Sequence, residues 1–357
     1  MFGLFKCLMF MIGLVQLLLG PVLDLVMSEF ALSKAQAGFL STAYILGNVP
    51  GMLLSGRLKP GAINVACSGA ALCLCAVAAA PSVRLLSLGL FGTGFACGFL
   101  FSAMAAVAAA GCTSQQKAAR LNGLYAWLGV GVVLAPLYSS LWQRQGLWRQ
   151  IPAGYGVLFV LLALFFPHQS FQGPSLKLKI PKRGNFALIC LALCCYVASE
   201  SAVSIWLVKY LQDQFSLAGS NYVLAGMWLN ISLGRFILAK TQFSDRKTLL
   251  ALTLWSTCFI VSAAFSAEII SVLSFLAIGL GFSGIYPLLV ERGAATAGEG
   301  AVGIMGASGV LGGALGSALT GIFAQRWGFP WGIAAAGLGT LGVLTAGILA
   351  GKRGERV

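Results

Sequence analysis

Almost the whole chain repeats one pattern: an apolar run of about twenty residues, then a short connection. As a helix, such a run spans the ~30 Å hydrocarbon core of a bilayer. A backbone in lipid must satisfy its N–H and C=O groups within its own segment, so runs of this length can only be transmembrane helices. Composition supports this, with 59% hydrophobic and 9% charged residues against roughly 25% charged in soluble domains. No hydrophilic stretch is long enough to fold separately, so whatever the protein handles is met inside the membrane. Residues 3–19 resemble a signal-peptide core, but no small-residue cleavage motif follows before Pro21 and Asp24, and the segment is read as a first span.

Twelve spans are expected, at about 4–28, 36–57, 61–80, 84–110, 118–142, 149–166, 185–211, 219–240, 247–266, 268–291, 300–325 and 329–350. The longest connection, 169–184, carries Lys177, Lys179, Lys182 and Arg183 among Gly and Pro residues and divides residues 1–168 from 185–357. With the N-terminus inside, only Lys34, Arg84, Arg144, Arg149, Lys209 and Arg326 of the 23 basic residues fall outside. The positive-inside rule then puts both termini and the linker in the cytoplasm. The same distribution explains the net charge of +14 without nucleic acid. The ten cysteines lie in or beside apolar runs, without metal-ligand spacing to the single histidine, and are expected as small buried hydrophobes.

The halves echo each other. Ser55-Gly56-Arg57-Leu58 closes span 2, and Leu233-Gly234-Arg235-Phe236 recurs in span 8 at an offset of 178. Two parallel six-helix halves with nested inverted repeats are the build of a rocker-type secondary transporter. Three stretches carry a family resemblance: Phe30 to Gly38, Arg120-Leu121-Asn122, and Ser199-Glu200-Ser201 through Trp206 to Tyr210. The chain resembles the major facilitator superfamily over nearly its full length, and most of all its fucose-permease-like sugar-transporter branch. The fold this implies is all-α, with twelve transmembrane helices in two pseudo-symmetric six-helix bundles and a cavity lined by spans 1, 4, 7 and 10. Gly20 and Phe101 stand where the proton-linked fucose carriers place carboxylates, so their coupling chemistry does not transfer. Gly129, Gly131 and Pro136 loosely resemble the span 5 motif of antiporters, which leaves the direction of transport open.

Glu200 is the acid nearest the middle of a span. A charge at bilayer depth costs about 3 kcal/mol or more, so it is tolerated mainly when it faces a cavity or a partner. Asp24 maps through the repeat offset onto Ala202, half a turn from Glu200; it can share proton coupling with Glu200, or lie solvated at the outer interface with Glu29. Gln16, Asn48 and Asn230 are the mid-span amides, able either to bind solute or simply to tie helices together. Tyr125, Tyr196 and Tyr286 are the rings kept as candidates for stacking on a polyol, with the amides and acids taking its hydroxyls. Arg120, Arg235, Glu291 and Arg292 fall at inner span ends and read as gate ion pairs or as topology anchors.

The expected function is secondary transport of a small, sugar-like polar solute across a bacterial inner membrane, coupled to protons. The expected surroundings are membrane lipid, and the expected state is a monomer. Neither an enzyme nor a cofactor is expected, and no Gly-Lys-Ser/Thr phosphate loop is present, so energy must come from a gradient. Two alternatives stay open: a proton-driven exporter of drugs or amphipathic metabolites, and a non-transporting sensor built on a transporter fold.

Overall fold

The computed structural model describes residues 2–55, 61–109, 114–143, 145–166, 184–241, 246–297 and 302–354, and these are helical apart from short turns. In chain order the helices are α1 (Phe2–Gln16), α2 (Leu23–Glu29), α3 (Lys34–Leu54), α4 (Ala62–Ala78), α5 (Val83–Ala109), α6 (Ser114–Gln143) and α7 (Gln150–Phe165). After them come α8 (Gly184–Phe215), α9 (Ser220–Thr241), α10 (Arg246–Phe265), α11 (Glu268–Ala297), α12 (Val302–Trp327) and α13 (Phe329–Gly354). Among the described residues thirteen helices make twelve spans because α1 and α2 form a single crossing. The expected unbroken first span is interrupted by a 3-10 turn at Gly20–Val22. Pro21 causes the break: it has no N–H to give, and its ring crowds the preceding turn. Among the described residues nine helices are long and apolar enough to cross a membrane, with shorter apolar helices at Ala62–Ala78 and Gln150–Phe165. The basic linker lies outside the described residues except Gly184, which opens α8.

The chain forms two compact units, one of residues 1–31 and 43–176, the other of residues 32–42 and 177–357. The opening turns of α3 thus group with the second unit rather than with the N-terminal spans.

In the first unit α1 packs on α6 and α4 on both α5 and α7, while Gly47 and Gly51 bring α3 against the Phe91 and Phe95 carbonyls of α5. Without a hydrophobic force between helices in lipid, such contacts rest on close packing and hydrogen bonds. Gly131 shows the packing: a Cβ there would run into the Phe10 carbonyl of α1. This part of the antiporter-like stretch therefore serves the α1–α6 contact. Asn64 shows the bonding, its Nδ2 donating to the carbonyls of Ala163 and Phe166, each at 2.8 Å. Arg149 joins three elements, donating to Glu29 at the end of α2 and to the carbonyls of Ala78, the last residue of α4, and Ala80 just beyond it, while Trp148 Nε1 donates to Glu29 Oε2 at 2.6 Å.

In the second unit α8 is the central pillar, touching α9, α11, α12 and α13. The start of α3 lies against α12, where Thr42 Oγ1 donates to the Ala314 carbonyl at 2.9 Å and the Ala35 N–H donates to Gln325 Oε1 at 3.0 Å. Lys34 sits 3.8 Å from Asp213 and over the Phe329 ring. The cysteines are not uniformly buried as expected. Cys67 and Cys97 are, but Cys7, Cys75 and Cys258 are exposed on outward helix faces, where a thiol is as much at home in lipid as in a core; Cys112 lies outside the described residues.

Candidate functional site

Four buried polar groups fix α8 to its neighbours, each bonded to a backbone carbonyl. Tyr196 reaches Phe282 of α11 at 3.0 Å, and Ser199 donates to Ala336 of α13 at 2.6 Å. Trp206 Nε1 donates to Ser317 of α12 at 3.0 Å, and the Tyr210 hydroxyl meets Ala263 and Ala264 of α10 at 2.9 and 3.0 Å. On the α12 side, Gly312 and Gly316 lie so close to the Cys194 and Ala198 carbonyls that a Cβ on either would collide with backbone. Small residues four apart let two helix backbones approach in this way. Held on these sides, α8 presents Glu200 half-buried near its middle.

The Glu200 carboxyl is met one turn earlier on the same helix by Tyr196, whose hydroxyl lies 2.7 Å from Oε1. Tyr196 is fully buried, its ring edge-on to Phe282 with centroids 5.6 Å apart and 6.2 Å from the Tyr286 ring. The spacing of four residues brings two side chains onto one helix face, so this pair follows from sequence alone. The third partner does not, because the Phe282 carbonyl is a backbone group 86 residues away whose position only packing sets.

Arg235 stands exposed on α9 at about the level of Glu200 on α8. Glu200 lies fifteen residues before the end of α8 at Phe215, and Arg235 fifteen residues after the start of α9 at Ser220. At 1.5 Å per residue both are ~22 Å below the turn joining the helices. Counting inward from that turn would have revealed the level in the sequence, where Arg235 reads only as an inner-end residue.

Asn230 donates from Nδ2 to the Leu276 carbonyl at 2.9 Å, which ties α9 to α11. Of the second-unit candidates, the structure thus brings together Tyr196, Glu200 and Tyr286, places Arg235 at about their level, and gives Asn230 a helix-tying bond. In the first unit Asn48 bonds back to the Tyr44 carbonyl of its own helix at 2.9 Å. Gln16 is exposed at the end of α1, Asp24 is half-buried in the first turn of α2, and Tyr125 is partly exposed and stacked on Phe101 at 5.6 Å. Arg120 and Glu291 are exposed, and Arg292 is half-buried.

The family model described as Major Facilitator Superfamily matches residues 7–299. A search of curated protein sequences finds no match. Several solved structures share the fold at low identity. A bacterial homologue of the human lysosomal transporter Spinster, in an inward-facing and occupied conformation, is 12% identical, with a TM-score of 0.80 over 98% of this chain and 96% of that one. The E. coli fucose:proton symporter is 17% identical, with a TM-score of 0.65 over 98% of each chain. The xylose transporter of E. coli, partially occluded and inward open, is 12% identical, with a TM-score of 0.73 over 96% of this chain and 95% of that one.

Proposed function

Since this chain belongs to the major facilitator superfamily and is a multi-pass membrane transporter, not an enzyme, we propose that it moves a small polar organic solute by alternating access and couples that movement to protons through Glu200. The observation that carries the reading is the Glu200–Tyr196 contact at mid-span. An acid at this depth survives when it is paired and screened from lipid, and a carboxyl beside a single hydroxyl can gain and lose a proton without rearranging its helix. A sugar-like solute is favoured by the aromatic and hydroxyl-rich setting of Tyr196 and Tyr286 and by the fucose and xylose carriers among the structures of like fold.

In this reading Glu200, Tyr196, Asn230 and Tyr286 serve solute or proton from the second unit, and Gln16, Asn48, Tyr125 and Asp24 from the first. Arg120, Arg235, Glu291 and Arg292 act at the cytoplasmic gate. The linker at 169–184 joins the two bundles, both termini are cytoplasmic, and the membrane is a bacterial inner membrane holding the protein as a monomer.

The test is uptake into proteoliposomes containing only this chain. Glu200→Gln is expected to keep solute exchange while losing accumulation driven by an imposed pH gradient. Unchanged pH-driven accumulation removes Glu200 from the mechanism, and absence of flux across sugars, acids, amino acids and peptides favours a sensor.

A further inference from the structure

From Met11 to Leu23 every residue is buried except Gln16, which ends α1 in the middle of the first crossing. Gln16 follows the exposed Cys7 by nine residues, about 180° around the helix, so its amide opens away from the outward face. Between Gln16 and the 3-10 turn two bonds bridge the break, Leu18 N–H to the Val15 carbonyl and Val22 N–H to the Leu19 carbonyl, each at 3.0 Å. Among the described residues no donor reaches the carbonyls of Gln16, Leu17 and Leu18. Pro21 accounts for one of them, since it has no N–H for Leu17, and Val22 gives its N–H to Leu19 rather than to Leu18. Backbone groups left bare at membrane depth are tolerated only where they are buried in protein or line a polar cavity. The fold does not demand them, because α8 carries the matching register, Cys195 to Ser199 at the offset of 178, as unbroken helix.

The element packed against this break is α6, which touches both α1 and the 3-10 turn. Gly131 meets the Phe10 carbonyl, and Gly13 meets Leu128 and Val132. As first and fifth crossings the two helices run the same way, so eight residues further along each, ~12 Å on, stand Leu18 and Ser139. Ser139 also follows Val132 by two helical turns and so keeps the face turned to α1. It is fully buried, and its Oγ has no hydrogen-bond partner. The Tyr155 hydroxyl of α7, whose ring stacks on Tyr138 at 5.6 Å, is likewise buried without a partner. Buried oxygens are nearly always bonded; a group of them left bare at one level marks a place for a ligand.

We propose that the break in α1 is a binding site for a monovalent alkali cation, held by the carbonyls of Gln16, Leu17 and Leu18 and by the Ser139 hydroxyl, with the Gln16 amide at its open side. These are neutral, hard oxygen ligands. They gather at the C-terminal end of α1, where the helix dipole is negative, and unwound carbonyls at such half-helix ends coordinate Na⁺ in broken-helix transporters. No carboxylate stands in the break, the nearest along the chain being Asp24 on α2, so the site suits one positive charge rather than a divalent ion that calls for carboxylates. The bound ion gives transport a second gradient. The site uses no residue of α8 and stands whether or not Glu200 titrates.

Equilibrium binding of radiolabelled sodium and rubidium to the full chain in lipid nanodiscs, with choline chloride holding the ionic strength constant, tests this. Wild type is expected to bind at least one of the two ions saturably. Pro21→Ala returns an N–H to the Leu17 carbonyl and is expected to weaken that binding about tenfold, the scale of one lost contact to a charged group. Ser139→Ala and Gln16→Leu each remove an oxygen, leave the break in place and are expected to weaken binding as well, whereas Gln16→Glu, which adds a carboxylate, is expected to tighten it. Saturable binding of neither ion by wild type, or binding undiminished in both Pro21→Ala and Ser139→Ala, overturns the proposal. Should Pro21→Ala fail to fold, undiminished binding in Ser139→Ala alone overturns it. Loss of ion binding in Glu200→Gln places the ion on α8 and overturns it too. If neither ion binds while galactose binding falls in Pro21→Ala, the carbonyls serve a solute hydroxyl and the proposal fails.

Discussion

Tyr196 stands one helical turn before Glu200 on α8, and its buried hydroxyl bridges the Glu200 carboxyl and the Phe282 carbonyl of α11. Tyr196→Phe removes both contacts and keeps the ring packing against Phe282 and Tyr286. The expected cost is about 1–3 kcal/mol, for one buried bond lost and a carboxyl left without its partner. Melting in detergent measures that cost. Uptake driven by a pH gradient is expected to fall further than solute exchange does, and an equal fall in both would reduce Tyr196 to a packing role.

Asn64 offers a sharper contrast, because both of its recorded bonds are donated by Nδ2 to carbonyls of the α7 end. Asn64→Ala loses them and is expected to cost about 1–3 kcal/mol. Asn64→Asp keeps the shape but turns an acceptor toward two acceptors, so it should melt below the alanine variant. The order of the two melting temperatures is the check.

Close approach of α8 and α12 at Gly312 and Gly316 leaves no room for a methyl group against the Cys194 and Ala198 carbonyls. Either glycine changed to alanine must push two backbones apart, at about 1–3 kcal/mol as for other overpacked sites. Gly306 has open space around its Cα, and the same change there is expected to be neutral within about 0.5 kcal/mol. Equal melting of the Gly306 and Gly312 variants would contradict the packing described.

At the junction of α2, α4 and α7, Arg149 uses one guanidinium for a carboxylate and two carbonyls. Arg149→Lys preserves the charge but has no fork to span these partners. It is expected to melt close to Arg149→Ala rather than to wild type. The pair is partly exposed and screening reduces its worth, so most of the loss should persist at high salt, where a purely coulombic tie would already be weak.

Much of the fold was legible because lipid permits so few solutions. Run length gave the helices, and Pro21 alone broke the first span into two, a local effect that run length does not register. At the site, Glu200 was legible from the cost of placing an acid at mid-span, and Tyr196 from its spacing of four residues. Asn230 was legible as an amide, while its use as a tie to Leu276 was not.

The sequence by itself determined the membrane class, the number of crossings and which ionisable side chain lies at depth, because these follow from hydrophobicity and the 1.5 Å rise of a helix. Tertiary packing alone decided that Phe282 offers its carbonyl to Tyr196, that Asn230 ties α9 to α11 at Leu276, and that α8 is clasped by α12 through Gly312 and Gly316. Those are relations between backbone and side chains far apart in the chain. Helix periodicity fixes which face a residue occupies, but only the packed neighbours fix what that face meets.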